Sequence, residues 1–272
     1  MAFKDLLVLI GKDTEAGSRY ALWLADACGA TLTAVSPIRG LNLPTFILPE
    51  MPSDILSRAR EDAENAARSS LDAFLDSAKQ AGVTVETSMP ELAPGELGDA
   101  FSRLARYFDA TVLQQPDPHG SDTSDVIEAV LFGSGRPVLI VPYIHVPPHL
   151  GTVVVAWDEG RPAARAVADA LPLIKMAHRV AIVSVTDGGE ERSLPSEGMA
   201  RHLARHGTKA EAVRLTSGEM GVANTLLSYA ADVDAGLIVM GGYGHSRLRE
   251  VVLGGTTRTI LQSMTVPVLM AH

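Results

Sequence analysis

Gly241, Gly244 and Gly254 mark the stretch of this sequence best suited to chemistry. It reads Leu237-Ile-Val-Met-Gly241-Gly-Tyr-Gly244-His-Ser-Arg-Leu-Arg-Glu-Val-Val-Leu-Gly254-Gly-Thr256. An apolar run ends at Met240 and Gly241 and passes into a loop carrying His245, Arg247 and Arg249. The loop meets Gly254-Gly255-Thr256-Thr257, which opens a helical pattern. Strand, glycine loop and helix N-terminus together offer bare backbone N–H groups and a positive dipole end to a phosphate. Asp158, after the run Val153-Val-Val-Ala156-Trp157, is a second polar group at a strand end. Its default role is to cap the helix that follows.

Other candidate chemistry is thin. His202 and His206 stand four apart on an expected helix, but Arg201 and Arg205 flank them and no Cys or carboxylate completes a metal set. No Gly-x-Ser-x-Gly elbow and no Gly-Lys-Ser/Thr phosphate loop occurs. The expectation is a phosphate-binding site without dedicated phosphoryl-transfer machinery. Cys28 is the single cysteine, so no intrachain disulfide framework exists, and it reads as a small core residue.

The elements that would position these residues come in two sets. Phe3-Lys-Asp-Leu-Leu-Val-Leu-Ile-Gly11 matches Gly151-Thr-Val-Val-Val-Ala-Trp-Asp158, and Thr31–Val35 matches Arg179–Val183. Gly95-Glu-Leu-Gly98 matches Gly218-Glu-Met-Gly221. Asp109-Ala-Thr-Val-Leu113 matches Asp234-Ala-Gly-Leu-Ile238, and Arg136-Pro-Val-Leu-Ile-Val141 matches Val266-Pro-Val-Leu-Met270. Five matches in one order indicate a tandem duplication. Each half reads as five strands alternating with four helices. Short continuous apolar runs are the mark of parallel strands buried on both faces. The expected fold is therefore α/β, two doubly wound domains, with residues 1–145 and 150–272 joined by the proline-rich Pro142-Tyr-Ile-His-Val-Pro-Pro-His149. The longest helix is expected over residues 53–80, with Ile55, Ala59, Ala63, Ala67, Leu71, Phe74 and Ala78 on its apolar stripe. Asn42-Leu-Pro-Thr-Phe-Ile-Leu-Pro49 reads as an apolar loop expected to cover its own core, with a partner or dimer surface as the alternative.

Charge separates the halves. The net charge is -9. Residues 1–150 hold 11 Lys and Arg against 20 Asp and Glu, whereas residues 151–272 hold 12 of each. The balance opposes nucleic acid or an anionic membrane as partner, and a polyanionic ligand is better tolerated in the second half. No apolar run approaches the roughly 20 residues of a membrane span, and the N-terminus runs directly into a strand pattern, so a cytoplasmic protein is expected. Where the second half has its glycine loop, the first has Gln115-Pro116-Asp117-Pro118-His119, whose prolines lack N–H donors. At the end of the first strand, Gly11 stands in place of Asp158. The first half reads as a retired copy.

Gly241-x2-Gly244-x9-Gly254 is similar to the ATP-binding signature of the universal stress protein family, G-x2-G-x9-G-[ST]. The runs ending at Asp158 and Met270 resemble that family's first and last strands. The chain thus resembles a tandem universal stress protein. That resemblance implies two Rossmann-like domains, each with a five-stranded parallel sheet and packed as a pseudo-dimer, and an adenine nucleotide at the strand C-termini of the second. ATP, with or without Mg2+, is the implied cofactor. Asp158 would lie near ribose or a phosphate-bound metal, Val185 near adenine, and Ala156 among the cofactor-binding residues. Met240, Gly241, Gly244, His245, Arg247, Gly254, Gly255 and Thr256 would surround the phosphates. Gly255 stands where the family has Ser or Thr, which forfeits about 1.5–3 kcal/mol if that hydroxyl bonds phosphate. Thr256 is the hydroxyl available to replace it. The expected function is a nucleotide-binding regulatory module of the stress response, a homodimer of tandem chains that offers a surface to a protein partner. The alternatives are a slow ATP hydrolase using the same pocket and a nucleotide-free dimeric scaffold.

Overall fold

In the computed structural model, which describes residues 2–40, 52–117, 123–144, 147–186, 195–243 and 255–272, the two repeats follow one plan. The first runs β1 (Asp5–Leu9), α1 (Glu15–Cys28), β2 (Thr31–Val35), β3 (Ile38–Arg39), α2 (Ser53–Ala81), β4 (Val85–Ser88), β5 (Glu91–Leu92), α3 (Leu97–Ala105), β6 (Ala110–Gln114), α4 (Ser124–Gly133) and β7 (Val138–Val141). The second runs β8 (Thr152–Ala156), α5 (Arg161–Ile174), β9 (Arg179–Thr186), α6 (Pro195–Arg205), β10 (Ala210–Thr216), α7 (Gly221–Asp232), β11 (Ala235–Gly241), α8 (Thr256–Ser263) and β12 (Val268–Ala271). Leaving aside the two-residue pair β3 and β5, each repeat alternates five strands with four helices, as the apolar runs predict.

The chain divides into two compact units, Phe3–Ser134 and Gly135–His272. In the first, the parallel sheet has the order β4-β2-β1-β6. In the second the order is β10-β9-β8-β11-β12-β7, parallel except that β7 runs antiparallel to β12. The first repeat's last strand therefore folds with the second unit. Burial explains the apolar runs. Every residue of β7 and β12 is buried, and so are all but the two end residues of β8 and the last residue of β11. Each fully buried Val or Leu contributes about 1.5–3 kcal/mol. Edge strands β4 and β10 are largely exposed and carry the polar residues. Cys28 is buried, and burial pushes its thiol pKa up, which keeps it protonated and unreactive.

The apolar stripe on α2 is only half used. Ala67, Leu71, Phe74 and Ala78 are buried, whereas Ala59 and Ala63 are half-buried and Ile55 is 44% exposed. A 29-residue helix spans about 43 Å at 1.5 Å per residue, and a four-residue strand such as β4 only about 13 Å. Periodicity fixes which face is apolar, not how much of it the sheet can reach. The loop Asn42–Pro49 lies outside the described residues.

Candidate functional site

In the second unit β8 leads through α5 to β9 on one side, while its other neighbour, β11, leads through α8 to β12 on the opposite side. The strand order reverses between β8 and β11, and open α/β sheets hold ligands outside the strand C-termini at such a point. Two short segments form this place, the turn after β8 and the chain leaving β11.

The turn after β8 is held by its own groups. Trp157 N–H donates to Val183 C=O at 2.8 Å, and the Ser184 hydroxyl donates to Trp157 C=O at 3.0 Å. The Trp157 indole Nε1 is shielded from solvent and has no hydrogen-bond partner among the described residues. Asp158 is exposed, and its Oδ1 accepts the Gly160 N–H at 2.7 Å. Gly160 is the N-cap of α5, so Asp158 fixes the approach to the helix without itself capping the first turn. The default reading of Asp158 as a cap is displaced by two residues. Glu159, with φ of 62°, absorbs the sharp turn.

The chain leaving β11 touches the first turns of two helices within three residues. A Cβ on Gly241 would lie 2.5 Å from Ala163 N and 2.8 Å from Pro162 Cβ, so α5 rests directly on the strand backbone. Only glycine permits that approach. Gly242 N–H donates to Ala271 C=O at 2.9 Å, and Tyr243 N–H donates to the Thr257 hydroxyl of α8 at 3.2 Å. Thus the glycine that looked like a place for phosphate is required by helix packing. No side chain among the described residues caps α5 or α8, and neither first turn contains an acidic residue. Both helices keep the partial positive charge of their N-termini.

The other expected residues are placed as follows. Ala156, half-buried, is in register with Val183. Val185 is half-buried at the same end of β9, in register with Leu215 of β10. Met240 is buried and in register with Met270, so its side chain belongs to the core. Gly255 is the N-cap of α8 and Thr256 its first residue, half-buried at the helix head. Gly244, His245, Arg247 and Gly254 lie outside the described residues, as do Arg249, Pro118 and His119. Sequence reasoning missed Thr257 and His272. The Thr257 hydroxyl is buried against Tyr243, and His272 Nδ1 is 2.9 Å from Gly242 C=O. Neither spacing nor composition signals these two, because their partners are backbone atoms on distant segments. His202 and His206 stack edge to face with centroids 4.8 Å apart, and no metal-like group of three His, Cys, Asp or Glu occurs among the described residues. Among those residues, no helix is long and apolar enough to cross a membrane.

The first unit treats the same place differently. The strand registers equate Ile10 with Trp157, Gly11 with Asp158 and Gln114 with Gly241. The comparison with the glycine loop therefore starts at Gln114, one residue before the apolar run alone suggests. Gln114 Oε1 accepts the Gly17 N–H of α1 at 3.0 Å, and its Nε2 donates to Asp13 C=O. A Cβ on Gly17 would sit 3.1 Å from Gln114 Cβ. The glycine has moved from the strand to the helix, and the strand's side chain caps that helix. Glu15 and Asp125 add negative charge to the first turns of α1 and α4.

The family model described as the universal stress protein family matches residues 149–272. "Universal stress protein Slr1230" of Synechocystis is 41% identical over 44 residues, 16% of this chain and 15% of that relative's length. Over 98% of the chain, the fold is similar to a universal stress protein from Archaeoglobus fulgidus, with a TM-score of 0.76, 17% identity and 95% of that chain covered. A putative universal stress protein from Pseudomonas aeruginosa covers the same share, with a TM-score of 0.59, 17% identity and 92% of its own chain. At these identities the structures speak for the fold, and the family model speaks for the second repeat. Over residues 149–272, a little under half of the chain, the sequence is similar to the universal stress protein family.

Proposed function

We propose that the second unit binds an adenine nucleotide, ATP with or without Mg2+, and that the protein is a regulatory module of the stress response. In this reading residues 1–145 are a degenerate domain and residues 150–272 the working one. The supporting observation is the meeting of two uncapped helix N-termini, α5 and α8, at the chain leaving β11. Such termini favour negative charge by about 0.3–1 kcal/mol each at the surface, more when shielded. The phosphates would sit against the head of α8, where Thr256 takes the part of the missing Ser or Thr. Asp158 suits a cation carried on phosphate. Its Oδ1 is held by Gly160, and its Oδ2 makes no bond among the described residues. A bound nucleotide would tie the β8 turn to the β11 exit and alter the surface offered to a partner, with a homodimer of tandem chains as the assembly.

Calorimetry with ATP and Mg2+ tests this directly. One site per chain is expected, with affinity lowered about tenfold by Asp158→Ala and less in the absence of Mg2+. Absence of any heat of binding, or two equivalent sites per chain, would sink the reading.

A further inference from the structure

Resting on that nucleotide reading, we infer that Thr257 and His272 are positioning residues that hold the first two residues of the glycine loop in the shape the ligand meets. Hydrogen bonds to the backbone hold the chain as it leaves β11. Gly242 N–H donates to Ala271 C=O at 2.9 Å, which continues the strand ladder by one residue. The C=O of the same Gly242 lies 2.9 Å from His272 Nδ1. A carbonyl oxygen only accepts, so this ring nitrogen must carry the hydrogen. Tyr243 N–H then donates to Thr257 Oγ1 at 3.2 Å.

These bonds explain a backbone that would otherwise relax. Tyr243 has φ of 53°, a conformation that costs a non-glycine residue roughly 1 kcal/mol or more and persists where neighbours over-determine it. Here the peptide before Tyr243 is gripped at both of its polar ends, its oxygen by His272 and its hydrogen by Thr257. Thr257 is 3% exposed, so its hydroxyl is set in the core and cannot swing out to follow the loop. It belongs to α8, the helix whose N-terminus faces the phosphates in the proposed site. The same residue therefore fixes the loop's departure relative to the amides that would share the ligand. Holding both in place before binding lowers the ordering cost that a ligand must overcome.

Paired variants separate positioning from simple packing. Thr257→Val keeps the shape and removes the acceptor, while Thr257→Ser keeps the acceptor. His272→Ala removes the donor, while His272→Asn restores an N–H near the position of Nδ1. Affinity for ATP with Mg2+ should fall about tenfold in Thr257→Val and His272→Ala and stay within about threefold in the two conservative variants. Amide hydrogen exchange in nucleotide-free protein gives an independent readout. Tyr243 should exchange faster in Thr257→Val, while Gly242, bonded to Ala271, should not change. The inference is overturned if the conservative variants lose as much affinity as the truncating ones, or if Tyr243 exchange is unaltered. Wild-type protein that binds no ATP would remove the nucleotide reading alone, and Tyr243 exchange would then decide the positioning role by itself.

Discussion

Gln114 and Gly241 occupy equivalent places at the end of equivalent strands, and they solve one packing problem in opposite ways. In the first unit the strand supplies a carboxamide, the helix supplies Gly17, and the side chain satisfies the helix N-terminus. In the second unit the strand supplies the glycine, the helix supplies Ala163, and the two backbones meet without a capping side chain. Each contact keeps one glycine, on the helix in the first unit and on the strand in the second, and among the described residues only α1 of this pair of helices receives a side chain from the strand. The same fold can thus satisfy a helix end with a side chain in one unit and leave it to other partners in the other.

The sharpest way to break this comparison is to change one side of the contact alone. Gly241→Val drives a side chain into Pro162 and Ala163, and overpacking of this kind costs about 1–3 kcal/mol, so the second unit should melt several degrees lower. Loss of ligand binding in that variant would say little about phosphate. Gly241→Gln combined with Ala163→Gly copies the first unit's arrangement instead. The melting temperature should be retained, and nucleotide affinity should fall about tenfold or more as the carboxamide caps α5. Unchanged affinity in the double variant would show that the α5 terminus has no part in binding. Next in size is Gln114→Ala, which removes two hydrogen bonds and should destabilise the first unit by about 1–2 kcal/mol in urea unfolding. A null result there would mean that the carboxamide is decoration.

The smallest effect concerns the opposite end of the sheets. Asp5 in the first unit is equivalent to Thr152 in the second, and the Asp5 pKa is raised above its ordinary 3.8 by burial first and by Asp109 and Glu86 after it. A raised carboxylate disfavours its own ionised form in the fold, so its cost is absent below 3.8 and complete once pH exceeds the folded value. Asp5→Asn should raise the melting temperature slightly at pH 7, and the gain should vanish at pH 3. A gain that persists at pH 3 would assign the effect to something other than charge.

Much of this architecture could be read from the sequence, because buried parallel strands write themselves as uninterrupted Val, Leu and Ile runs. Two such sets in one order gave away the duplication, and the helix over residues 53–81 matches its periodicity within a residue. What escaped were relations between segments. The apolar stripe could not say that Ile55 outreaches the sheet. The glycine at 241 carried two meanings, close approach of a phosphate or of a helix, and only the position of Ala163 distinguishes them. The role of Gln114 depends on a strand register that the run Ala110–Gln114 does not reveal by itself. Thr257 and His272 act on backbone atoms, which have no letter in a sequence.

Strand β7 carries a practical consequence. It is encoded by the first repeat yet pairs antiparallel with β12 in the second unit, matching Ile140 to Val268 and Val138 to Met270. The duplication boundary and the folding boundary are therefore different cuts through the chain. A fragment made at residue 149, where the family match begins, would strip β12 of that neighbour. It would bare a Val-Leu-Met-Ala edge, the kind of surface on which strands of separate molecules add to one another. Any dissection of this protein that keeps the second sheet whole has to carry the tail of the first repeat along with it.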